Sequence, residues 1–281
     1  MDLKTLNLYQ YFGLEKPENA GGNLICYIQK TDMEISSRRR RPAMLILPGG
    51  GYGHVSAREA EPVALRLLAR GYSCFVLRYS IAPVKFPAAL REAAMAMRYI
   101  RENAAALEVD VQRVAAMGFS AGGHLCGTLG TMYDCPEVAD LGPAELLRPD
   151  ALGLCYPVTV SWGATHGGSF QNLCGEDAAL RQRLSLDRLV RSDMPPVFLW
   201  HTRDDDCVPC RNSLILANAL EQAGVDFVLH LYRNGQHGLS TADSQVYLAD
   251  KVPQVSRDVP GWLETMVDFL TEMGFTAQDE E

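Results

Sequence analysis

Val114-Ala115-Ala116-Met117-Gly118-Phe119-Ser120-Ala121-Gly122 decides the fold of this chain. An apolar run leads into Gly-x-Ser-x-Gly, and Gly123-His124-Leu125-Cys126-Gly127 follows. A serine in this setting sits on a sharp strand-to-helix turn with its oxygen projecting outward. Glycines two before and two after it let the chain fold back without a Cβ clash. The N–H of Ala121 then points at the same spot from a helix N-terminus, where developing negative charge is stabilised. Ser120 is therefore a candidate nucleophile, between a strand predicted over 114–117 and a helix over 122–132.

Outward from this turn, strands and helices alternate. Strands are predicted over 43–47, 73–79, 151–156, 196–201 and 226–232. Helices are predicted over 60–70, 87–106, 177–189, 210–223 and 261–273. Gly71 and Gly224 stand where a left-handed residue ends a helix. Residues 23–30 read as an antiparallel strand at one edge, and 157–175 as a polar, glycine-rich connection. The strands after residue 43 are near-continuous apolar runs, as expected of strands buried on both faces. The fold class expected is α/β: a mostly parallel central sheet with helices on both faces. No internal repeat or low-complexity linker divides the chain, so one domain over 1–281 is expected. Within it, 1–40 form an N-terminal segment with the edge strand, and 157–195 an irregular, cap-like insertion.

Composition narrows the class. Hydrophobic residues make up 47 % of the 281 and charged residues 21 %, an ordinary globular balance. A net charge of −8 argues against nucleic-acid or anionic-membrane partners, which require clustered Lys and Arg. The run Arg38-Arg39-Arg40-Arg41 reads as a solvated turn. No apolar stretch reaches membrane-spanning length, and Met1-Asp2-Leu3-Lys4 leads into no signal-peptide core, so a cytoplasmic setting is expected. Eight scattered cysteines read as free thiols there, including the redox-spaced Cys207-Val208-Pro209-Cys210. Neither metal nor cofactor is implied, and a homo-oligomer stays open.

A nucleophilic serine needs a base to take its proton and a third group to orient that base. In a parallel sheet both should lie in loops at the carboxyl ends of later strands. One such loop is His201-Thr202-Arg203-Asp204-Asp205-Asp206, and another is Asn234-Gly235-Gln236-His237-Gly238-Leu239. His237, between glycines, is the candidate base. The orienting acid lies among Asp204, Asp205 and Asp206. His124, His201 and His230 read as scaffold histidines, whereas His54 and His166 sit in loops that could touch a ligand. Pro48-Gly49-Gly50-Gly51-Tyr52 follows an early strand and lets backbone N–H groups aim inward. It lacks the arrangement of a phosphate loop, and with Ser120 present it reads as an oxyanion-binding segment.

These segments resemble the small bacterial α/β-hydrolases of the acetyl-esterase and acetylxylan-esterase type. The resemblance rests on Pro48–Tyr52, the stretch Arg58-Glu59-Ala60-Glu61-Pro62, Leu77-Arg78-Tyr79, the serine turn, Tyr156-Pro157-Val158, His166-Gly167-Gly168-Ser169-Phe170 and His237-Gly238-Leu239. It covers about residues 40–240. It implies an α/β-hydrolase fold with a minimal cap, since the N-terminal cap helices of the hormone-sensitive-lipase group have no counterpart. Pro48 stands where that broader group has histidine. Carried over, Ser120 is the nucleophile, His237 the base, and Asp205, three residues before Val208-Pro209, the orienter, with Asp204 as runner-up. Gly50, Gly51 and Ala121 supply the oxyanion N–H groups, and Tyr52, Trp162, His166 and Phe170 are candidate pocket residues.

The activity implied is a serine carboxylesterase acting on short acyl, chiefly acetyl, esters of sugars or small alcohols. Within a cytoplasm, acetylated oligosaccharides are more coherent partners than intact xylan. Two alternatives carry different chemistry: a serine peptidase of the oligopeptidase type, and a non-catalytic ligand-binding protein on the same fold.

Overall fold

The apolar runs form strands that are covered twice. The computed structural model describes every residue except 33, 35, 37, 248–250, 252, 280 and 281. Its strands are β1 (Asp2–Asn7), β2 (Asn23–Ile28), β3 (Arg39–Leu47), β4 (Ser73–Arg78), β5 (Val109–Phe119), β6 (Leu152–Cys155), β7 (Val197–Thr202), β8 (Phe227–Tyr232) and β9 (Gln278–Asp279). They lie in the order β1-β2-β4-β3-β5-β6-β7-β8, with β9 against β3. From β4 to β8 every neighbouring pair is parallel. Only β1–β2, β2–β4 and β3–β9 are antiparallel among the described residues.

Side-chain alternation sorts the core into two layers. Along β3, Ala43, Leu45 and Leu47 pack with Ala93, Met97, Leu125 and Leu129, from the helices Ala88–Glu102 and Ala121–Met132. Met44 and Ile46 pack on the other face with Val63, Leu67, Met266 and Leu270, from the helices Glu61–Leu68 and Trp262–Glu272. A fully buried side chain of this size contributes about 1.5–3 kcal/mol. That is why the central strands tolerate no polar face.

Several expectations need correction. The edge strand is β1, and β2 lies inside it, paired from Asp2↔Ile28 to Asn7↔Asn23. Asp2–Asn7 is mostly exposed and lacks two-residue alternation, so only its pairing with β2 makes it a strand. The basic run is not a turn. Arg39 to Arg41 open β3, where Arg39 Nε donates to Asp279 Oδ1 on β9 at 3.0 Å. That partner comes from the far end of the chain, where nothing local announces it.

The helix expected over 87–106 ends at Glu102, and a separate turn follows at Ala104–Leu107. At the break, the Asn103 side chain donates to Tyr99 O at 2.8 Å, competing with the helical ladder. The connection 157–175 contains a helix, Gly167–Cys174, hidden by the two glycines that begin it. The helix expected over 177–189 is two, Ala178–Arg183 and Leu186–Leu189, separated where Leu186 N turns to Thr159 O.

Candidate active site

The carboxyl ends of five adjacent parallel strands converge here. In sheet order, β3 delivers the glycine loop, β5 Ser120, β6 Tyr156, β7 Asp205 and β8 His237. Residues spread across almost two hundred positions meet because parallel strands all point the same way.

Ser120 has φ 53° and ψ −117°, a conformation that costs an L-residue on the order of 1–3 kcal/mol. Neighbouring glycines make it attainable. A Cβ on Gly118 would collide with Gly122 O, and one on Gly122 with Leu47 O, so the turn closes only without side chains there. Ser120 N donates to Cys155 O at 3.0 Å, which ties the turn to β6.

Ser120 Oγ lies 2.8 Å from His237 Nε2, and His237 Nδ1 lies 2.6 Å from Asp205 Oδ2. The Asp205 Oδ1 accepts from the N–H groups of Cys207 at 3.0 Å and Val208 at 2.8 Å. His201, fully buried, places Nε2 at 3.2 Å from Asp205 Oδ2 and 2.8 Å from Val208 O. Burial pushes the Asp205 carboxyl up. The hydrogen bonds from His201 and His237 outweigh it and hold the group well below the usual carboxylate range. Its negative charge therefore persists beside the His237 ring.

The three aspartates sort cleanly. Asp205 faces His237, while Asp204 accepts from Gly235 N at 2.7 Å and Asn234 Nδ2 at 3.2 Å, steadying the histidine loop. Asp206 is exposed.

Ala121 begins its helix, so its N–H has no intrahelical acceptor. Gly50 has φ 124°, and a Cβ there would strike His54 O, so only glycine carries the chain through this turn. No described hydrogen bond occupies the N–H groups of Gly50 and Gly51.

A cavity of about 460 Å³ opens over Ser120 and His237. Gly50, Gly51, His54, His166, Asn172 and Cys207 are among its lining residues. Of the four pocket residues expected, only His166 lines it; its Nδ1 sits 2.8 Å from Ser169 Oγ. Burial, and then the neighbouring His237, lower the pKa of His166.

The other three are corrections. Tyr52 and Phe170 are buried around His124: the Tyr52 hydroxyl lies 2.9 Å from Nδ1, and the Phe170 ring meets the imidazole edge-on at 5.2 Å. Trp162 is 48 % exposed, bonds Asp187 Oδ2 at 3.2 Å, and lines a separate depression with Arg181 and Arg188. An aromatic residue next to a glycine loop packs inward as readily as it faces a ligand, and sequence does not separate the two. Asn172 and Glu59 were missed. Asn172 Nδ2 holds Gly51 O at 2.9 Å from within the unforeseen helix, and Glu59 accepts from Gly49 N at 2.8 Å.

Residues 91–254, more than half of the chain, match the model of the prolyl oligopeptidase family, and residues 32–142 match BD-FAE. The chain belongs to the prolyl oligopeptidase family of α/β-hydrolases. This α/β-hydrolase superimposes on the acetyl ester-xyloside bifunctional hydrolase from Caldicellulosiruptor lactoaceticus with a TM-score of 0.83, at 37 % identity over 97 % of both chains. It superimposes on the carboxylesterase Cest-2923 from Lactobacillus plantarum WCFS1 with a TM-score of 0.84, at 27 % identity over 99 % of this chain and all of that one. Among curated relatives, an acetylxylan esterase from Xylanibacter ruminicola is 27 % identical over 91 % of this chain and 50 % of its own length. Endo-1,4-beta-xylanase B from Butyrivibrio fibrisolvens is 34 % identical over 80 % of this chain. The α/β-hydrolase spans only 36 % of that xylanase and about half of the esterase. Among the described residues, no cluster of His, Cys, Asp or Glu could hold a metal ion, and no helix is long and apolar enough to cross a membrane.

Proposed function

We propose that this α/β-hydrolase is a serine carboxylesterase that releases short acyl groups, chiefly acetyl, from sugars or small alcohols. The carrying observation is the unbroken chain Ser120 Oγ, His237 Nε2, His237 Nδ1, Asp205 Oδ2, with links of 2.8 and 2.6 Å, at the floor of an open cavity. Ser120 Oγ attacks the ester carbonyl while His237 Nε2 takes its proton. The carbonyl oxygen becomes an oxyanion received by the N–H groups of Gly50, Gly51 and Ala121. The C–O bond to the alcohol then breaks, and His237 returns the proton to the departing oxygen. Water, deprotonated by the same imidazole, cleaves the acyl-serine. Asp205 keeps the His237 tautomer and stabilises the imidazolium. His166 and Asn172 line the cavity that would receive the ester.

Acetylated xylo-oligosaccharides are the substrate class that best unites this site with the names of the relatives. The test is a series of p-nitrophenyl esters from acetyl to octanoyl, followed by acetylated xylo-oligosaccharides, on wild type and Ser120→Ala. The expected result is a preference for acetyl and acetate release that disappears in Ser120→Ala. Equal turnover in Ser120→Ala removes the proposal. The prolyl oligopeptidase match sustains peptide cleavage as a second reading. Hydrolysis of a peptide p-nitroanilide faster than of p-nitrophenyl acetate would select it.

A further inference from the structure

Arg58-Glu59-Ala60-Glu61-Pro62 marks the resemblance described above, yet the chemistry of the triad makes no use of it. Glu59 lies in a short 3-10 turn, is only 3 % exposed, and is paired with no described cation. Both of its carboxyl oxygens are engaged. Oε2 accepts from Gly49 N at 2.8 Å, and Oε1 accepts from the Tyr156 hydroxyl at 2.7 Å.

The first bond acts on one peptide unit. The Pro48–Gly49 peptide immediately precedes the Gly49–Gly50 peptide, whose N–H is an oxyanion donor in the esterase reading. The N–H of the Pro48–Gly49 peptide is held by Glu59, and its carbonyl is held by the buried Tyr79 hydroxyl at 2.5 Å. With both poles held by buried side chains, that peptide is anchored, and the next one, which carries the Gly50 N–H, is held at its own carbonyl, where Gly49 O accepts from Ser56 N at 3.0 Å. The contact is close: a Cβ on Gly49 would stand 2.7 Å from Glu59 Oε2 and 3.0 Å from Ser120 Cβ.

The second bond acts on the base. Tyr156 sits at the end of β6 with φ 35°, a left-handed conformation that persists only where surroundings over-determine it. Its ring meets the His237 imidazole edge-on at 5.1 Å. Its hydroxyl oxygen, while donating to Glu59, accepts from Ser240 N at 2.9 Å, on the loop carrying His237. Ser240 Oγ in turn donates to Arg58 O at 2.5 Å, closing the circuit one residue from Glu59. Burial, and then the Glu59 charge, raise the pKa of Tyr156 well above its ordinary value, so the hydroxyl remains a donor.

We propose that Glu59 and Tyr156 form a positioning bracket that fixes the oxyanion loop and the His237 loop relative to each other. The proposal deepens the esterase reading and rests on it. Neither side chain hydrogen-bonds Ser120 or His237, although the Tyr156 ring packs on the imidazole and Glu59 borders the cavity. One carboxyl group spans the two halves of the site, which come from opposite ends of the sequence.

The test compares Glu59→Gln, Tyr156→Phe and their double variant with wild type on p-nitrophenyl acetate. Glu61→Gln is the control, since Glu61 bonds Tyr27 away from the cavity over Ser120. The bracket predicts that each single variant loses roughly 10- to 100-fold in kcat with KM nearly unchanged, because transition-state geometry is lost and ground-state binding is kept. It predicts that the double variant is no worse than the poorer single one, and that Glu61→Gln matches wild type. Wild-type kcat in folded Glu59→Gln or Tyr156→Phe overturns the proposal, as do losses that multiply in the double variant.

Tyr156→Phe removes one oxygen and keeps the ring, so it decides the matter if Glu59→Gln does not fold. The rate at which a fluorophosphonate labels Ser120 is the second readout. Slowed labelling in the folded variants supports the bracket even if wild type hydrolyses no ester, an outcome that would end the esterase reading alone. Unchanged labelling counts against the bracket.

Discussion

Asp204 and Asp205 are neighbours of the same chemistry, and geometry alone separates them. Asp205 bonds the imidazole, whereas Asp204 bonds the backbone and amide of the loop that carries it. Asp205→Asn leaves the ring in the wrong tautomer and should lower kcat by roughly 10³–10⁴-fold. Asp204→Asn keeps an acceptor for Gly235 N and should leave turnover close to wild type. Steady-state kinetics on p-nitrophenyl acetate check both, and the reverse ranking would move the orienting role to Asp204. Gly50→Ala forces a Cβ into His54 O at a φ that L-residues avoid, so the loop must shift. Loss of an oxyanion donor costs about 10²–10³ in kcat, and that is the expected effect, with the far-UV spectrum retained. Ser120 and His237 stand out as candidates in the sequence because their types and flanking glycines carry a local signal. Choosing among the aspartates takes a resemblance, because a run of identical residues holds no directional information.

The helices flanking the sheet carry two buried titrating groups with opposite tendencies. His124, on Ala121–Met132, is held between the Tyr52 hydroxyl and Leu184 O. Burial lowers its pKa from 6.5 to about 4, against the bond to Leu184. Its unfolded form therefore binds a proton that the folded form refuses. The stability it contributes is complete above pH 6.5 and is lost as pH falls toward 4. Glu92, on Ala88–Glu102, accepts from Tyr9, Ser80 N and Ser80 Oγ, yet burial raises its pKa from 4.5 to about 7. Its stability is complete below pH 4.5 and is lost as pH rises through 7.

Where the two windows overlap, their slopes cancel, each being at most about 1.4 kcal/mol per pH unit. The contributions of His124 and Glu92 to the thermal midpoint should therefore offset each other between pH 4.5 and 6.5. Glu92→Gln should unmask a rise with pH across that span, and His124→Gln a fall. Calorimetry at closely spaced pH values checks the signs, and parallel profiles for the two variants would refute the assignment.

At the scale of the whole molecule, the site has no existence apart from the sheet. Its five loops leave adjacent strands, and the stacked rings of Trp200 and Trp262, 5.1 Å apart, lie in the layer beneath Tyr156. Activity and tryptophan emission should therefore be lost at the same urea concentration. Earlier loss of activity would mean that the loops melt on their own.

The alternation of buried strands with amphipathic helices was legible along the chain, because burial on two faces imposes continuous apolar runs. β1, the strand character of Arg39–Arg41 and the helix Gly167–Cys174 were not. Their stability comes from partners far away in sequence, and no local periodicity records a distant partner.

By itself, then, the order of residues determined which backbone turns are sterically allowed, which segments must be buried, and where a reactive hydroxyl and an imidazole could arise. Only the tertiary structure decided which aromatics turn into the core, that Asp204 bonds the loop carrying His237, and that Glu59 joins the two halves of the site. The physical reason is range. Sterics and hydrophobic periodicity act between residues close in the chain, whereas a hydrogen bond forms wherever folding brings a donor and an acceptor within about 3 Å.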